Sequence, residues 1–367
     1  MKPSTISSPR QTNSKSVSNL MTTVLICLCP GIVSSCWFFG IGILLNILIA
    51  TIAALVFEAV CLACRGKDPK VQMTDLSAVV TAVLFALTVP VGTPWTFIVA
   101  GIAFAILISK HAYGGLGQNL FNPAMTGYLF LLLSFPLAMT TWHIPLNDLT
   151  SGMPISPLSM EGVRQSLLAS FPFMAFDSNM SKELIDGMTV ATPLTLTEMA
   201  SPNAFAAALS SDASIWSRDA RTGWEIVNMA YLLGGLTLLG LKVIRWHIPL
   251  AIIGTVTLLS LAFYSPGSAT ITGTPYMHLF GSATILGAFF IATDPVSAAT
   301  TTSGRLIYGV IIGISLYSIR VWGSYPDAVA IAVIFGNFWA PMLDHFFKPR
   351  SYGHKSKLSQ LIQGLKS

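Results

Sequence analysis

Long apolar runs separated by short polar stretches dominate the sequence. Ten runs of near-spanning length occur, at about residues 21–38, 41–63, 74–90, 95–110, 124–141, 224–241, 247–264, 278–293, 306–319 and 328–344. A straight helix needs about 20 residues to cross a hydrocarbon core about 30 Å thick. Several runs are shorter than this, and we expect those near Pro90 and Pro295 to be broken or re-entrant. The pattern predicts an all-α membrane protein with about ten transmembrane helices.

Composition agrees with this pattern. The chain of 367 residues is 53% hydrophobic and only 10% charged, which is typical of membrane proteins rather than of a single soluble core. Residues 1–20 are polar and lack the small-residue cleavage site of a secretory signal. We interpret them as a polar cytoplasmic tail.

The distribution of lysine and arginine predicts the orientation of the helices. If the N-terminus is cytoplasmic and ten helices alternate, 15 of the 20 basic residues lie on the cytoplasmic side, and so do both termini. The net charge of +5 is then an orientation signal, and nucleic-acid binding is not expected. Residues 142–223 face outward as one irregular segment, with short helices near 159–170 and 194–208. Residues 345–367 form a basic cytoplasmic tail, either disordered or with an amphipathic helix on the membrane surface.

Two of the runs resemble each other. Residues 77–91 align with residues 282–296 with identity at six of fifteen positions, including a shared Thr-x-Pro-Val ending. These are the third and eighth of the ten helices, so they run in opposite directions. The match indicates a five-plus-five inverted repeat, residues 21–141 against 224–344, with a site at the repeat interface. The alternative is a coincidence between two apolar helices that end at proline.

A glycine-rich loop and one acid are candidates for a binding site. The loop at residues 114–119 lacks the Gly-Lys-Ser/Thr of a P-loop and does not follow a strand. Backbone N–H groups near Gly117 and the side-chain amides of Asn119 and Asn122 are suited to flavin carbonyl oxygens; the plainer interpretation is a tight turn between two helices. Asp294 lies at the break of the eighth helix, where an acid is a functional candidate by default. Alternatively, it caps a helix in a polar loop.

The remaining reactive residue types do not form a recognisable centre. Cys61 and Cys64 end the second helix as a CxxC pair without a second pair, which argues against zinc and against covalent haem. A metal cluster shared between subunits remains open. Glu58, in the same helix, either extends to the membrane surface or pairs with a neighbour. We predict no catalytic residue and no metal ligand in the chain itself.

The most specific chemical signal is a short motif in the outer segment, at residues 186–192. Asp186, Thr189, Ala191 and Thr192 fit the pattern at which a flavin transferase esterifies FMN onto a hydroxyl, and Val190 replaces the usual glycine. The pattern makes Thr192 the acceptor, through a phosphoester. The alternative is a helix start, because Thr192 and Pro193 suit an N-cap followed by the first helical position.

Five segments in this order carry a family resemblance. They are YGGLGQNLFNPAM at 113–125, DGMTVATPL at 186–194, FIATDPV at 290–296, GSYPD at 323–327 and KPRSYGH at 348–354. From about residue 20 to 355 the chain resembles the RnfD family of Rnf complexes (Rsx in some enterobacteria), which is related to the B component of sodium-pumping NADH:quinone reductase. The departures are Val190, a diverged outer segment and a longer N-terminus.

The resemblance implies a flavin-carrying subunit of an ion-translocating electron transport complex in the bacterial inner membrane. Covalent FMN would pass electrons between ferredoxin- and NAD-linked subunits. A second, noncovalent flavin is compatible with this function. The expected partners are the other membrane subunits, a flavin transferase and membrane lipid. The subunit alone would not be a complete enzyme, since the redox chemistry belongs to the cofactor.

Two other functions remain open at this stage. The inverted repeat could line the path of a small solute or ion, which would make the protein a membrane channel or transporter. The chain could also be a structural anchor without flavin. Flavin fluorescence in a denaturing gel separates the first interpretation from both of these.

Overall fold

The fold consists of apolar helices. The computed structural model describes residues 15–140, 142–143, 160–171, 189–190, 218–263, 274–323 and 328–347. In the part before the outer segment the helices are α1 (Lys15–Phe39), α2 (Gly42–Cys64), α3 (Pro69–Gln72), α4 (Ser77–Thr88), α5 (Trp95–Ala103), α6 (Pro123–Ser134) and α7 (Pro136–Thr140). A 3-10 turn, Met73–Asp75, precedes α4, and α5 continues as a π-helix, Phe104–His111.

The outer segment and the second half follow. They contain strand β1 (Trp142–His143), α8 (Met160–Ser170), strand β2 (Thr189–Val190), α9 (Arg218–Gly240), α10 (His247–Ala262), α11 (Pro275–Phe280), α12 (Thr284–Leu286), a second π-helix (Gly287–Ile291), α13 (Thr302–Trp322) and α14 (Val329–Phe346). β1 and β2 form a two-residue antiparallel pair. The architecture is therefore all-α apart from this one short pair among the described residues.

Each of the ten predicted apolar runs overlaps helix in the structure. Among the described residues, four helices are long and apolar enough to cross a membrane: Val17–Phe39, Gly42–Cys64, Thr302–Trp322 and Val329–Phe346. Shorter apolar helices lie at Ser77–Thr88, Trp95–His111, Pro123–Ser134 and His247–Ala262. This is the architecture expected of a multi-pass membrane protein. The helix predicted near residues 159–170 is confirmed as α8.

The breaks occur at prolines, as predicted for two of them. α4 ends at Thr88, and the Pro90 carbonyl in the following turn accepts hydrogen bonds from the Asn46 amide at 3.2 Å and the Thr93 hydroxyl at 2.8 Å. Helical structure in the other predicted segment ends at Ile291, ahead of Pro295. A third break was not predicted: the run at 124–141 divides at Phe135, because the residue before a proline is disfavoured in helix.

Several expectations fall outside the described residues. They are the helix near residues 194–208, the C-terminal amphipathic helix and most of the flavin motif. The predicted boundary between tail and first helix shifts, since α1 begins at Lys15 within the polar stretch.

Small residues allow the helices to approach closely. A side chain added at Gly309 would meet the Ala251 side chain at 2.6 Å, and one added at Gly313 would meet Thr255 at 2.7 Å. This spacing of four residues on α13 faces α10 and is typical of helix packing in membranes. The two halves of the chain also touch, because α6 packs against α14.

Candidate functional site

A cavity of about 410 Å³ lies where α4 and α6 begin and where the second broken segment ends. Its lining is largely apolar, with contributions from α1, α4 and the second π-helix. Eight lining residues carry polar side chains or were predicted as site residues: Ser77, Thr81, Lys110, Gly117, Asn119, Asn122, Thr293 and Asp294. The structure thus brings the four predicted site residues Gly117, Asn119, Asn122 and Asp294 to one cavity.

Asn122 joins the two halves at this cavity. Its side-chain carbonyl accepts hydrogen bonds from the backbone of Ala124 at 3.0 Å and Met125 at 3.3 Å, so it is the N-cap of α6. Its amide donates to the Ile291 carbonyl at 3.1 Å, at the end of the second π-helix. The side chain is 3% exposed. One buried residue therefore caps one helix and satisfies the broken end of another, as unsatisfied backbone in a membrane requires.

Asp294 caps a turn rather than a helix. Its carboxylate accepts hydrogen bonds from the Ser297 backbone at 3.3 Å and the Ser297 hydroxyl at 2.7 Å. The residue is half-buried and lines the cavity. The alternative that it caps a helix is wrong, because non-helical turns follow it before α13 begins.

The glycine-rich loop is a tight turn. Gly114, Gly115 and Gly117 all have positive φ, between 87° and 127°, a region that favours glycine. The backbone N–H groups of Gly114 and Gly115 donate to carbonyls of the preceding π-helix. The Asn119 amide donates locally to the Phe121 carbonyl at 3.1 Å and not to the break at Asp294. The turn interpretation accounts for two of the glycines, whereas Gly117 and Asn119 also face the cavity.

A buried ionic network on the first π-helix was missed by the sequence reasoning. The Lys110 ammonium donates to the Glu58 carboxylate at 2.8 Å and to the Ser77 hydroxyl at 2.9 Å, and the second Glu58 oxygen lies 3.0 Å from Nε2 of His111. All four residues are buried. We call Glu58, Ser77, Lys110 and His111 the inner network. The prediction that Glu58 pairs with a neighbour is confirmed.

The π-helix explains how this network forms. It places two adjacent polar residues, Lys110 and His111, among buried groups at the end of an apolar helix. The guanidinium of Arg65 donates to the His111 carbonyl and, at 2.7 Å, to the Gly114 carbonyl, so it closes the end of the π-helix. Such segments are often found at functional sites. The available sequence signal was two ionisable residues inside apolar runs, Glu58 and Lys110, with His111 directly after the second run.

The second half contains a corresponding contact. The guanidinium of Arg320, buried on α13, donates to the Ser282 hydroxyl at 2.9 Å and to the His278 carbonyl at 2.8 Å. Ser282 is the residue that aligned with Ser77. In each half, a buried base from the helix after the broken one thus reaches the serine at the start of the aligned stretch.

The flavin motif is only partly described. Thr192, Asp186 and Ala191 lie outside the described residues, and Thr189 lies in β2 opposite His143. Val190 pairs with Trp142, whose ring lies 5.4 Å from that of Trp224. The Trp224 ring in turn lies 4.8 Å from that of Phe39. An aromatic cluster therefore underlies the strand pair that leads to Thr192.

Comparisons with known proteins show to which family the chain belongs. The sequence model of the family described as NQR2, RnfD, RnfE matches residues 4–353. The chain is 44% identical over 352 residues to a protein of Vibrio atlanticus (strain LGP32) that is named as the D component of an ion-translocating oxidoreductase complex, covering 95% of this chain and 98% of that protein. It is 43% identical over 353 residues to a protein of the same name from Aeromonas hydrophila, covering 96% and 99%. The chain therefore belongs to the NQR2, RnfD, RnfE family.

Proposed function

We propose that the protein is the RnfD-type membrane component of an ion-translocating oxidoreductase complex and carries FMN as a phosphoester on Thr192. The observation that carries the proposal is the end-to-end match to relatives of that name, at 44% identity over 98% of their length. In the complex, the flavin would pass electrons between the ferredoxin- or NAD-linked subunits. The protein's part is to hold and tune the cofactor.

The backbone next to Thr192 supports the acceptor assignment. Val190 replaces the usual glycine of the motif, and it lies in strand β2. A β-branched residue is favoured in an extended strand, so this position does not need the conformational freedom of glycine. The valine is therefore compatible with recognition by a flavin transferase.

The surroundings of the strand pair also favour a flavin here. Thr192 follows Val190 by two residues, which span at most about 7 Å of extended chain. A flavin attached there would start near the rings of Trp142, Trp224 and Phe39. Aromatic surfaces stabilise a planar ring system by offset or edge contacts.

The size and lining of the cavity support the proposal of a second, noncovalent flavin there. Its volume of about 410 Å³ lies within the usual range of ligand sites, about 300–1,000 Å³, and its apolar lining with a few polar groups is typical of them. The amide of Asn119 and the ammonium of Lys110 supply donors, and Asp294 supplies an acceptor. When bound, a flavin would supply two-electron redox chemistry, while these side chains orient it.

We further propose a five-plus-five inverted repeat of ten transmembrane helices in the inner membrane, with both termini cytoplasmic. The matching contacts of Lys110 with Ser77 and of Arg320 with Ser282 support the repeat. The bias of basic residues supports the orientation. In this arrangement the cavity and the inner network lie toward the cytoplasm and the strand pair lies outside.

Flavin fluorescence of the denatured protein tests the function. Thr192→Ala should abolish in-gel fluorescence, Thr189→Ala should reduce it, and Thr195→Ala, three residues beyond the acceptor, should leave it unchanged. Flavin retained on the denatured Thr192→Ala protein would refute the assignment. A wild-type chain without flavin that takes up a solute in vesicles would favour the channel or transporter, since the cavity at the broken helices also suits such a path. Neither flavin nor uptake would indicate a structural anchor.

A further inference from the structure

We propose that Asp75, Ser77 and Lys110 form a proton-transfer path from the protein surface into the cavity. This inference rests on the proposed function, because the path needs a proton-accepting redox ligand in the cavity. It goes beyond that function because it assigns a role to the inner network. Binding of a flavin does not by itself explain why these residues are buried together.

The three residues form a continuous chain of short contacts. The Lys110 ammonium donates to the Ser77 hydroxyl at 2.9 Å, and that hydroxyl donates to Oδ1 of Asp75 at 2.7 Å. Ser77 and Lys110 line the cavity. Asp75 is half-buried in the connection between α2 and α4, next to exposed residues. The chain thus connects the surface with the cavity wall through two hydrogen bonds.

The direction of these hydrogen bonds shows where the proton lies before the transfer. Lys110 donates to Ser77 and Ser77 donates to Asp75, so the transferable proton is on Nζ of Lys110. In the transfer step an Nζ–H bond would break and the proton would move to a nitrogen or oxygen of the ligand, once the ligand has gained its electrons from a reduced electron carrier of the complex. The neutral amine then keeps a lone pair that can accept a proton.

Lys110 regains its proton through the Ser77 hydroxyl. The Asp75 carboxylate takes a proton from water at the surface. The Ser77 hydroxyl then turns, its O–H proton moves to Nζ of Lys110, and the proton from Asp75 replaces it on the Ser77 oxygen. Asp75 is again the carboxylate that accepts the Ser77 hydrogen bond. One proton enters and one reaches the ligand, so the charge of the chain is unchanged over the cycle.

The other charged groups around Lys110 make the cycle feasible. Glu58 of α2 accepts a hydrogen bond from the ammonium, and His111 contacts the second Glu58 oxygen. Asp294 lines the same cavity. The Glu58 carboxylate holds the ammonium beside the Ser77 hydroxyl, where the path needs it. A buried ion pair without further use is a weak source of stability, which favours a functional task for this one.

The test uses the full chain carrying Thr192→Ala, so that its absorbance reports only noncovalent flavin. The flavin is reduced anaerobically by saturating dithionite, and bleaching is followed by stopped flow in H₂O and D₂O. Asp75→Asn keeps the hydrogen-bond acceptor but cannot carry a proton, and Ser77→Ala removes the hydroxyl. Asp68→Asn, in the same connection and exposed, is the matched control.

We expect Asp75→Asn and Ser77→Ala to slow bleaching on the order of 100-fold, the lower end of what a positioned proton donor contributes. Ser77→Thr, which restores the hydroxyl, should restore the rate, and imidazole buffer should partly rescue Asp75→Asn. The slowed variants should show a larger D₂O effect than Asp68→Asn, which should match the parent.

Three results would overturn the path. Bleaching at the parent rate in both Asp75→Asn and Ser77→Ala, with flavin bound, would overturn it and leave the proposed function intact. Equal slowing by Asp68→Asn would show a general charge effect instead. A folded Thr192→Ala chain that releases no flavin on acid treatment would refute the second flavin, and the path with it, since Lys110 would have no acceptor.

Discussion

Replacement of Asn122 tests the junction between the two halves. Its amide hydrogen bond to Ile291 and its cap on α6 are separable. Asn122→Ser keeps a good N-cap residue but is too short to reach Ile291, whereas Asn122→Leu removes both contacts. The Ile291 carbonyl also accepts from the Asp294 backbone at 3.3 Å, so it is not left without a partner when Asn122 changes.

The magnitudes follow from these contacts. Loss of the amide bond should cost about 0.5–1.5 kcal/mol, because Asp294 still satisfies the carbonyl in part. Loss of the N-cap should cost about 1 kcal/mol more. We therefore expect the free energy of unfolding to fall by about 1 kcal/mol in Asn122→Ser and by about 2 kcal/mol in Asn122→Leu.

The assay is equilibrium unfolding in mixed detergent micelles, followed by tryptophan fluorescence. Asn19→Leu, at an exposed position on α1, is the control and should unfold like the wild type. If Asn122→Leu unfolds with the wild-type free energy, Asn122 does not stabilise the junction between the two halves. Equal losses of unfolding free energy in Asn122→Ser and Asn122→Leu would show that the N-cap and the hydrogen bond to Ile291 do not contribute separately.

Three further predictions concern topology, the inner network and the motif. A periplasmic-type reporter fused after Lys182 and a cytoplasmic-type reporter fused at Ser367 should both be active; the reverse pattern would contradict the ten-helix orientation. Lys110→Met should lower the free energy of unfolding by about 3–5 kcal/mol, because it leaves a buried carboxylate without its nearest cation. The double change Glu58→Gln/Lys110→Met should recover most of that loss, and a double variant as unstable as the single one would count against the pairing. Val190→Gly should leave the covalent flavin content unchanged, as measured by in-gel fluorescence, because the extended strand does not need glycine; a large increase would show that Val190 limits flavin attachment.

Hydropathy was sufficient to place the helices but not their irregularities. Every predicted apolar run overlaps helix, because a polypeptide in hydrocarbon must satisfy its backbone internally. The two π-helices were not predicted, since one extra residue per turn leaves the apolar composition unchanged. The division of α11 from α12 and the break before Pro136 were also missed, although the latter had a local signal in the proline.

The candidate site was predicted in part, for a physical reason. Asn122 was identified because its amide can donate hydrogen bonds, and Asp294 because an acid at a helix break is a functional candidate. The inner network was missed because its contacts join residues far apart in sequence: Glu58 and Lys110 are 52 positions apart. Pairing across helices depends on their rotation about their axes, and the π-helix changes that rotation for Lys110 and His111.

Mass spectrometry of the tryptic peptide of residues 183–218, from the protein purified out of bacterial membranes, tests the central claim most directly. This peptide contains Asp186, Thr189 and Thr192 between two cleavage sites. The account predicts a mass increase of one FMN less one water, located on Thr192 by fragmentation. An unmodified peptide from an assembled, active complex, or FMN located on another residue, would contradict it.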